Sequence, residues 1–151
     1  MTKKINIMKR LFTILIILII CKSACASLFR KYQVEDGLSH NSVWTVMQDK
    51  RGFMWFGTVD GLNKFDGINF KVYKKQQEDS LSIGNNFIHC LKEDSHGHFL
   101  VGTKQGLYLF DQDYETFSHV NLSGKTREED DTSINYIMED PDGNIWLGCY
   151  G

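Results

Sequence analysis

Histidines, clustered carboxylates, cysteines and indole rings are the side chains here that could carry chemistry. His96-x-His98 has the spacing of two metal ligands, but no third ligand accompanies it. In a parallel stretch of sequence, Arg51 stands where His96 does, so the pair reads as turn residues. Asp140-Pro-Asp-Gly-Asn144 opens like a calcium loop. An EF-hand, however, wants glycine at its sixth position and glutamate at its twelfth. The related stretches Asp49–Gly52 and Asp94–Gly97 lack the second carboxylate, which favours a hairpin turn. No Walker loop, Ser/His/Asp signature or pair of catalytic carboxylates stands out. The reading is therefore of a chain with no catalytic residue, no cofactor and no metal.

The aromatic residues offer a different chemistry. Trp44, Trp55, Trp146, Phe56 and Phe87 could stack against sugar rings. Trp55 and Trp146 share a repeat position with Leu100, which marks that position as core. Trp44 matches His89 and is less constrained. Loops carry function more often than the strands they join. The candidate ligand-facing residues are therefore His40, Asn41, Trp44, Asp60, Asn85, Asn86 and Gln105, on or beside the loops Ser39–Ser42, Thr58–Asp60, Ile83–Asn86 and Thr103–Gln105.

Those loops are positioned by a repeat. Asp49, Gly52, Gly57, Thr58, Gly61, Leu62, Phe65 and Asp66 recur as Asp94, Gly97, Gly102, Thr103, Gly106, Leu107, Phe110 and Asp111, each offset by 45 residues (94 − 49). Asp140, Gly143 and Gly148 continue the series at an offset of 46 (140 − 94). A period of about 40–50 residues signals a repeat architecture. Within one unit, Val43–Gln48 is rich in β-branched and aromatic types suited to a pleated surface. Asp49-Lys-Arg-Gly52 is a tight turn. Phe53–Phe56 is apolar on both faces and reads as a strand buried between sheets. Gly57–Gly61 breaks the chain, and Leu62–Phe65 is a weaker strand. Asp66-Gly67 is a hairpin signal, and Phe70–Tyr73 closes the unit. Four short antiparallel strands per unit is the spacing of a β-propeller blade. The predicted fold class is all-β, a partial β-propeller of about 2.8 units of four-stranded blades.

Met1–Arg10 is basic, Leu11–Ile20 is apolar except for Thr13, and Ala24-Cys-Ala26 supplies small residues. This is a signal peptide, 1–26, cut between Ala26 and Ser27. Its apolar run falls short of the roughly 20 residues that a membrane span needs. Lipidation at Cys21 or Cys25 is the rival reading. The leader holds five of the 17 Lys and Arg, leaving 12 against 19 acidic residues, formally −7. No basic surface for nucleic acid is implied. Cys90 and Cys149 remain, expected as two buried free thiols. Residues 27–34 resemble the last strand of a unit and are expected to complete a closing blade. Units 35–79 and 80–124 follow, then an incomplete third, 125–151. The charged loop Leu122–Ser133 reads as solvated. The chain is expected to be the N-terminal fragment of a longer protein, because a ring needs about four to eight blades.

Asp36-Gly-Leu-Ser39, Gln48-Asp-Lys-Arg-Gly-Phe-Met-Trp-Phe-Gly-Thr-Val-Asp-Gly-Leu-Asn-Lys-Phe-Asp-Gly67 and Gly143-Asn-Ile-Trp-Leu-Gly148 closely resemble the two-component regulator propeller. The resemblance runs from about Leu28 to Gly151. It implies a periplasmic sensor region of a hybrid two-component histidine kinase. Such regions commonly detect carbohydrate breakdown products, so the implied partners are an oligosaccharide or other small ligand, the remaining blades and a second copy in a homodimer. The kinase, its phosphoaccepting histidine and the DNA-binding domain map to no residue here. Two alternatives stay open: a truncated secreted propeller enzyme, such as a polysaccharide lyase or glycosidase, and a non-functional remnant.

Overall fold

The structure is a computed structural model that describes residues 29–122 and 132–150. The expected leader, its cleavage point at Ala26–Ser27, Cys21 and Cys25 lie outside the described residues, as does most of the charged loop. Among the described residues, ten strands follow a single 3-10 turn at Val34–Asp36. β1 (Val43–Gln48), β2 (Met54–Thr58), β3 (Gly61–Phe65) and β4 (Phe70–Tyr73) form one antiparallel meander. β5 (Ile88–Glu93), β6 (Phe99–Thr103), β7 (Leu107–Asp111) and β8 (Thr116–Val120) form the next. β9 (Ser133–Glu139) and β10 (Ile145–Tyr150) pair as a hairpin. The two meanders are propeller blades, as the repeat implies.

Turn chemistry sets the β1–β2 connection. Asp49 Oδ1 accepts the backbone N–H of Phe53 at 2.9 Å, and its Oδ2 accepts the Trp55 indole N–H at 2.7 Å. Gly52 closes the turn with φ 91°, a left-handed conformation that costs other residues more. Asp140 repeats this around Trp146, whose indole donates at 2.8 Å. In the middle blade Leu100 replaces the tryptophan, and His98 supplies the missing partner. Its N–H and its imidazole both reach Asp94 at 2.7 Å. His98 is thus a turn residue, and His96 stacks beside it at 6.1 Å.

The blades stack through an aromatic core. Trp55, fully buried, packs on Phe99 (4.8 Å) and Phe110 (5.3 Å) of the next blade and on Tyr73 of its own. Ring edges meeting ring faces at these distances favour the charge pattern of the rings. Inner strands approach closely where glycine permits. A Cβ on Gly57 would lie 2.7 Å from Ile88 of the next blade, and one on Gly102 would lie 2.9 Å from Ile134 of β9. Each interface is then latched at both ends. At one end the N–H of Gly61 donates to Asn86 O (2.7 Å), and that of Gly106 to Thr132 O (2.8 Å). At the other, the N–H of Lys50 donates to Glu93 (2.7 Å), and that of Ser95 to Glu139 (3.0 Å).

Three expectations need correction. Residues 29–33 form no strand, and the chain turns into the 3-10 segment at Val34. Tyr32 instead docks by its ring, edge-on to Phe65 (4.9 Å) and Phe70 (5.5 Å). Extended backbone becomes a strand only when a neighbour takes its hydrogen bonds. Second, Cys149 is exposed while Cys90 is buried. Third, Trp146 is 59 % exposed because no described residue covers its face of β10, although its counterpart Trp55 is core.

Candidate functional site

The meander sends every β1-type strand start and every β2–β3 turn to one end of the stack. All seven candidate residues therefore share that end. Most of them are engaged in holding it together. Asp60 accepts Lys74 Nζ at 2.6 Å and the Asn86 amide at 3.1 Å. Asn86 Oδ1 accepts the N–H of Lys75 at 2.7 Å. Asn41 Oδ1 accepts the N–H of Val34 at 3.0 Å, and His40 Nδ1 accepts that of Ser42 at 2.9 Å. Asn85 accepts the N–H of Phe87 and donates to Gln105, both at 2.8 Å. These are braces within and between blades.

Trp44 differs. The β1–β2 register shifts between Val43 and Thr45, and the β5–β6 register shifts between Ile88 and Cys90. Trp44 and His89 are the residues left out of the two ladders. A bulge of this kind bends the strand and re-aims the extra side chain. The two bulged residues meet across the blade interface. Trp44 stands edge-on to Phe87 (5.1 Å) and His89 (5.5 Å), and Phe87 stacks on His89 at 4.5 Å with 21° between planes. The indole is 59 % exposed. Burial, and secondarily the nearby Lys104 charge, hold the His89 imidazole below its usual value, which favours its neutral form.

This cluster pairs an exposed aromatic surface with an imidazole, at the same end of the stack as the amides of Asn85, Asn86 and Gln105. A flat ring with apolar C–H faces and polar edges suits it. Phe87 and Trp44 were legible in the sequence. His89 and Lys104 were not singled out, although the equivalence of His89 with Trp44 was the signal for the first.

The opposite end offers a cleft of about 540 Å³ lined by Lys50, Arg51, Glu93, His98, Asp111 and Asp113. Its charges are spent on each other. Arg51 pairs with Asp113 at 2.6 Å, and Glu93 is taken by the N–H of Lys50. The aromatic end is the better candidate because it presents an exposed indole backed by a second aromatic ring and an imidazole. Among the described residues, no three His, Cys, Asp or Glu side chains converge as a metal site. No described helix is long and apolar enough to cross a membrane.

The model of the two component regulator propeller family matches residues 37–60, 82–105 and 128–151. Histidine kinase P4 of Formosa agariphila is 54 % identical over 55 residues, which are 36 % of this chain and 4 % of that protein. The extracellular domain assigned to the hybrid two component system BT3049 of B. thetaiotaomicron superposes with a TM-score of 0.67 at 29 % identity, over 78 % of this chain and 17 % of that one. The extracellular domain assigned to the one component system BT4673 of the same organism superposes with a TM-score of 0.60 at 20 % identity, over 80 % of this chain and 18 % of that one. The chain thus spans a small share of each relative's length.

Proposed function

The chain belongs to the two component regulator propeller family, and on that premise we propose that it is the N-terminal part of a periplasmic sensing propeller. In this reading it binds a breakdown product of a complex carbohydrate and signals to a kinase elsewhere in the protein. The family match and the extracellular domains it resembles support the sensing role. The single observation that supports the ligand class is Trp44. It is a bulge-aimed indole, 59 % exposed, backed by Phe87 and His89 at a blade interface. Stacking on an indole is tolerant of sugar identity.

The experiment is calorimetric titration of the chain, and of the Trp44→Ala variant, with a panel of neutral and uronate-containing oligosaccharides of two to six sugars. Loss of a stacked ring should weaken binding by about fivefold or more, since truncating an aromatic anchor at a binding site costs about 1 kcal/mol or more. Circular dichroism of the variant controls for folding. Equal affinity in both proteins would remove Trp44 from the site.

A further inference from the structure

We propose that Cys90 and Cys149 form a redox pair, able to close into a disulfide that ties the middle blade to the β9–β10 hairpin. The argument starts from placement. Cys90 lies on β5, buried, with its Sγ 3.4 Å from Ile134 O on β9. Ile134 is the residue directly opposite Cys149 in the β9–β10 pair. Directly opposed residues in antiparallel strands share a face, with Cβ atoms about 4.5–5.5 Å apart. Ile134 turns its Cγ2 towards Gly102 of the middle blade, so Cys149 stands on the face turned to Cys90.

The preceding interface supplies a control within the molecule. There the equivalent positions are Thr45 and Thr103, in the same register: Ile88 is opposite Thr103, and Thr45 crowds Gly57 as Cys90 crowds Gly102. Threonine at both positions has become cysteine at both, at one interface only. A lone replacement would need no such matching.

The chemistry is thiol–disulfide exchange with an external disulfide such as oxidised glutathione. Exposed Cys149, as its thiolate, attacks one glutathione sulfur. A bond from Cys149 to glutathione forms, and the first glutathione leaves as thiolate. Cys90 then gives up its proton to solvent and attacks the Cys149 sulfur. The Cys90–Cys149 bond forms and the second glutathione leaves. The protein loses two electrons and two protons, and the oxidant gains both as two thiols. Burial holds the Cys90 thiol up at about 12, so the second step is the slow one. Its rate follows the thiolate fraction and rises roughly tenfold per pH unit.

The test incubates the full chain with oxidised glutathione from pH 7 to 9, quenches with iodoacetamide and maps the cysteine peptides by mass spectrometry without reduction. The expected product is a peptide pair linked Cys90 to Cys149 within one chain, appearing about tenfold faster per pH unit. Cys90→Ser should halt the reaction with glutathione left on Cys149. The proposal is overturned if glutathione stays on Cys149 in the unsubstituted chain at pH 9. A link from Cys149 to a second chain, with Cys90 left free for alkylation on unfolding, overturns it equally.

Discussion

Trp55 and Trp146 occupy one repeat position and make one local bond, the indole N–H to a turn aspartate, at 2.7 and 2.8 Å. Yet Trp55 is fully buried and Trp146 is 59 % exposed. The difference lies in what stands opposite. Phe99 and Phe110 of the following blade cover Trp55, and no described residue does so for Trp146. In this fold the turn builds the position, whereas the neighbour supplies the burial. That is the behaviour of a stack in which each unit completes its core only against the next.

The comparison is sharpest under truncation. Trp55→Ala should lower stability by about 3–5 kcal/mol, the usual range for a large aromatic removed from a packed core. Trp146→Ala should cost about 1 kcal/mol or less, since it forfeits one exposed hydrogen bond and partial contact. Urea midpoints of the two variants decide it. Equal losses would mean that the turn, rather than the stacking, sets the stability of each unit.

A smaller effect is expected at the glycines two residues further along. A Cβ at Gly102 would lie 2.3 Å from Cys90 Sγ and 2.9 Å from the Ile134 backbone oxygen. Gly102→Ala must therefore push two blades apart, at about 1–3 kcal/mol for overpacking. At Gly148 the nearest atom is Tyr136 Cβ at 3.2 Å, within the same hairpin. Gly148→Ala should change stability by about 0.5 kcal/mol, as at an ordinary surface position. The same urea series measures both. A costly Gly148→Ala would show that β9 and β10 are packed more tightly against each other than the hairpin geometry requires.

Much of this was legible in the sequence because the repeat prints the same residue for the same physical job. Asp49, Asp94 and Asp140 brace turns, and Gly57 and Gly102 admit the next inner strand. What escaped is what depends on the neighbour or on a polar group finding a buried partner. In the sequence Asn63 is the polar middle of a weaker, half-buried strand. It is fully buried, because its Oδ1 accepts the Ser39 N–H (2.8 Å) and its amide donates to Ser39 Oγ and Phe56 O. Those bonds fix the Asp36–Ser39 loop to β3, and nothing in the residue types alone announces them. The latch carboxylates Glu93 and Glu139 also went unremarked, since the first unit carries Gln48 in their place and breaks the pattern. The candidate site was legible only as a list of loop residues. The bulges that re-aim Trp44 and His89 towards each other are a property of register, and register is set by pairing.

The subtlest consequence of the Trp55–Trp146 comparison concerns protons. Asp140 accepts the Trp146 indole N–H at 2.8 Å, the Asn144 amide at 3.0 Å and the Asn144 and Asp142 backbone N–H groups at 2.9 and 3.0 Å. These donors, the indole first among them, hold its carboxyl down at about 2, below its ordinary value of 3.8. A carboxylate that binds its proton more weakly when folded favours the folded state above its unfolded value. That contribution is present above about pH 4 and is lost as pH falls through about 2. The effect on the whole protein is small, because the group is at the surface. It is nevertheless readable site by site. The Trp146 indole N–H resonance should move with a midpoint near 2 in an acid titration, as its acceptor changes from carboxylate to acid. A midpoint at the ordinary value would mean that the turn opens in solution when no blade stacks upon it. Burial, and not the turn alone, would then be needed to hold the aspartate–indole bond, and the two tryptophans would differ in construction as well as in cover.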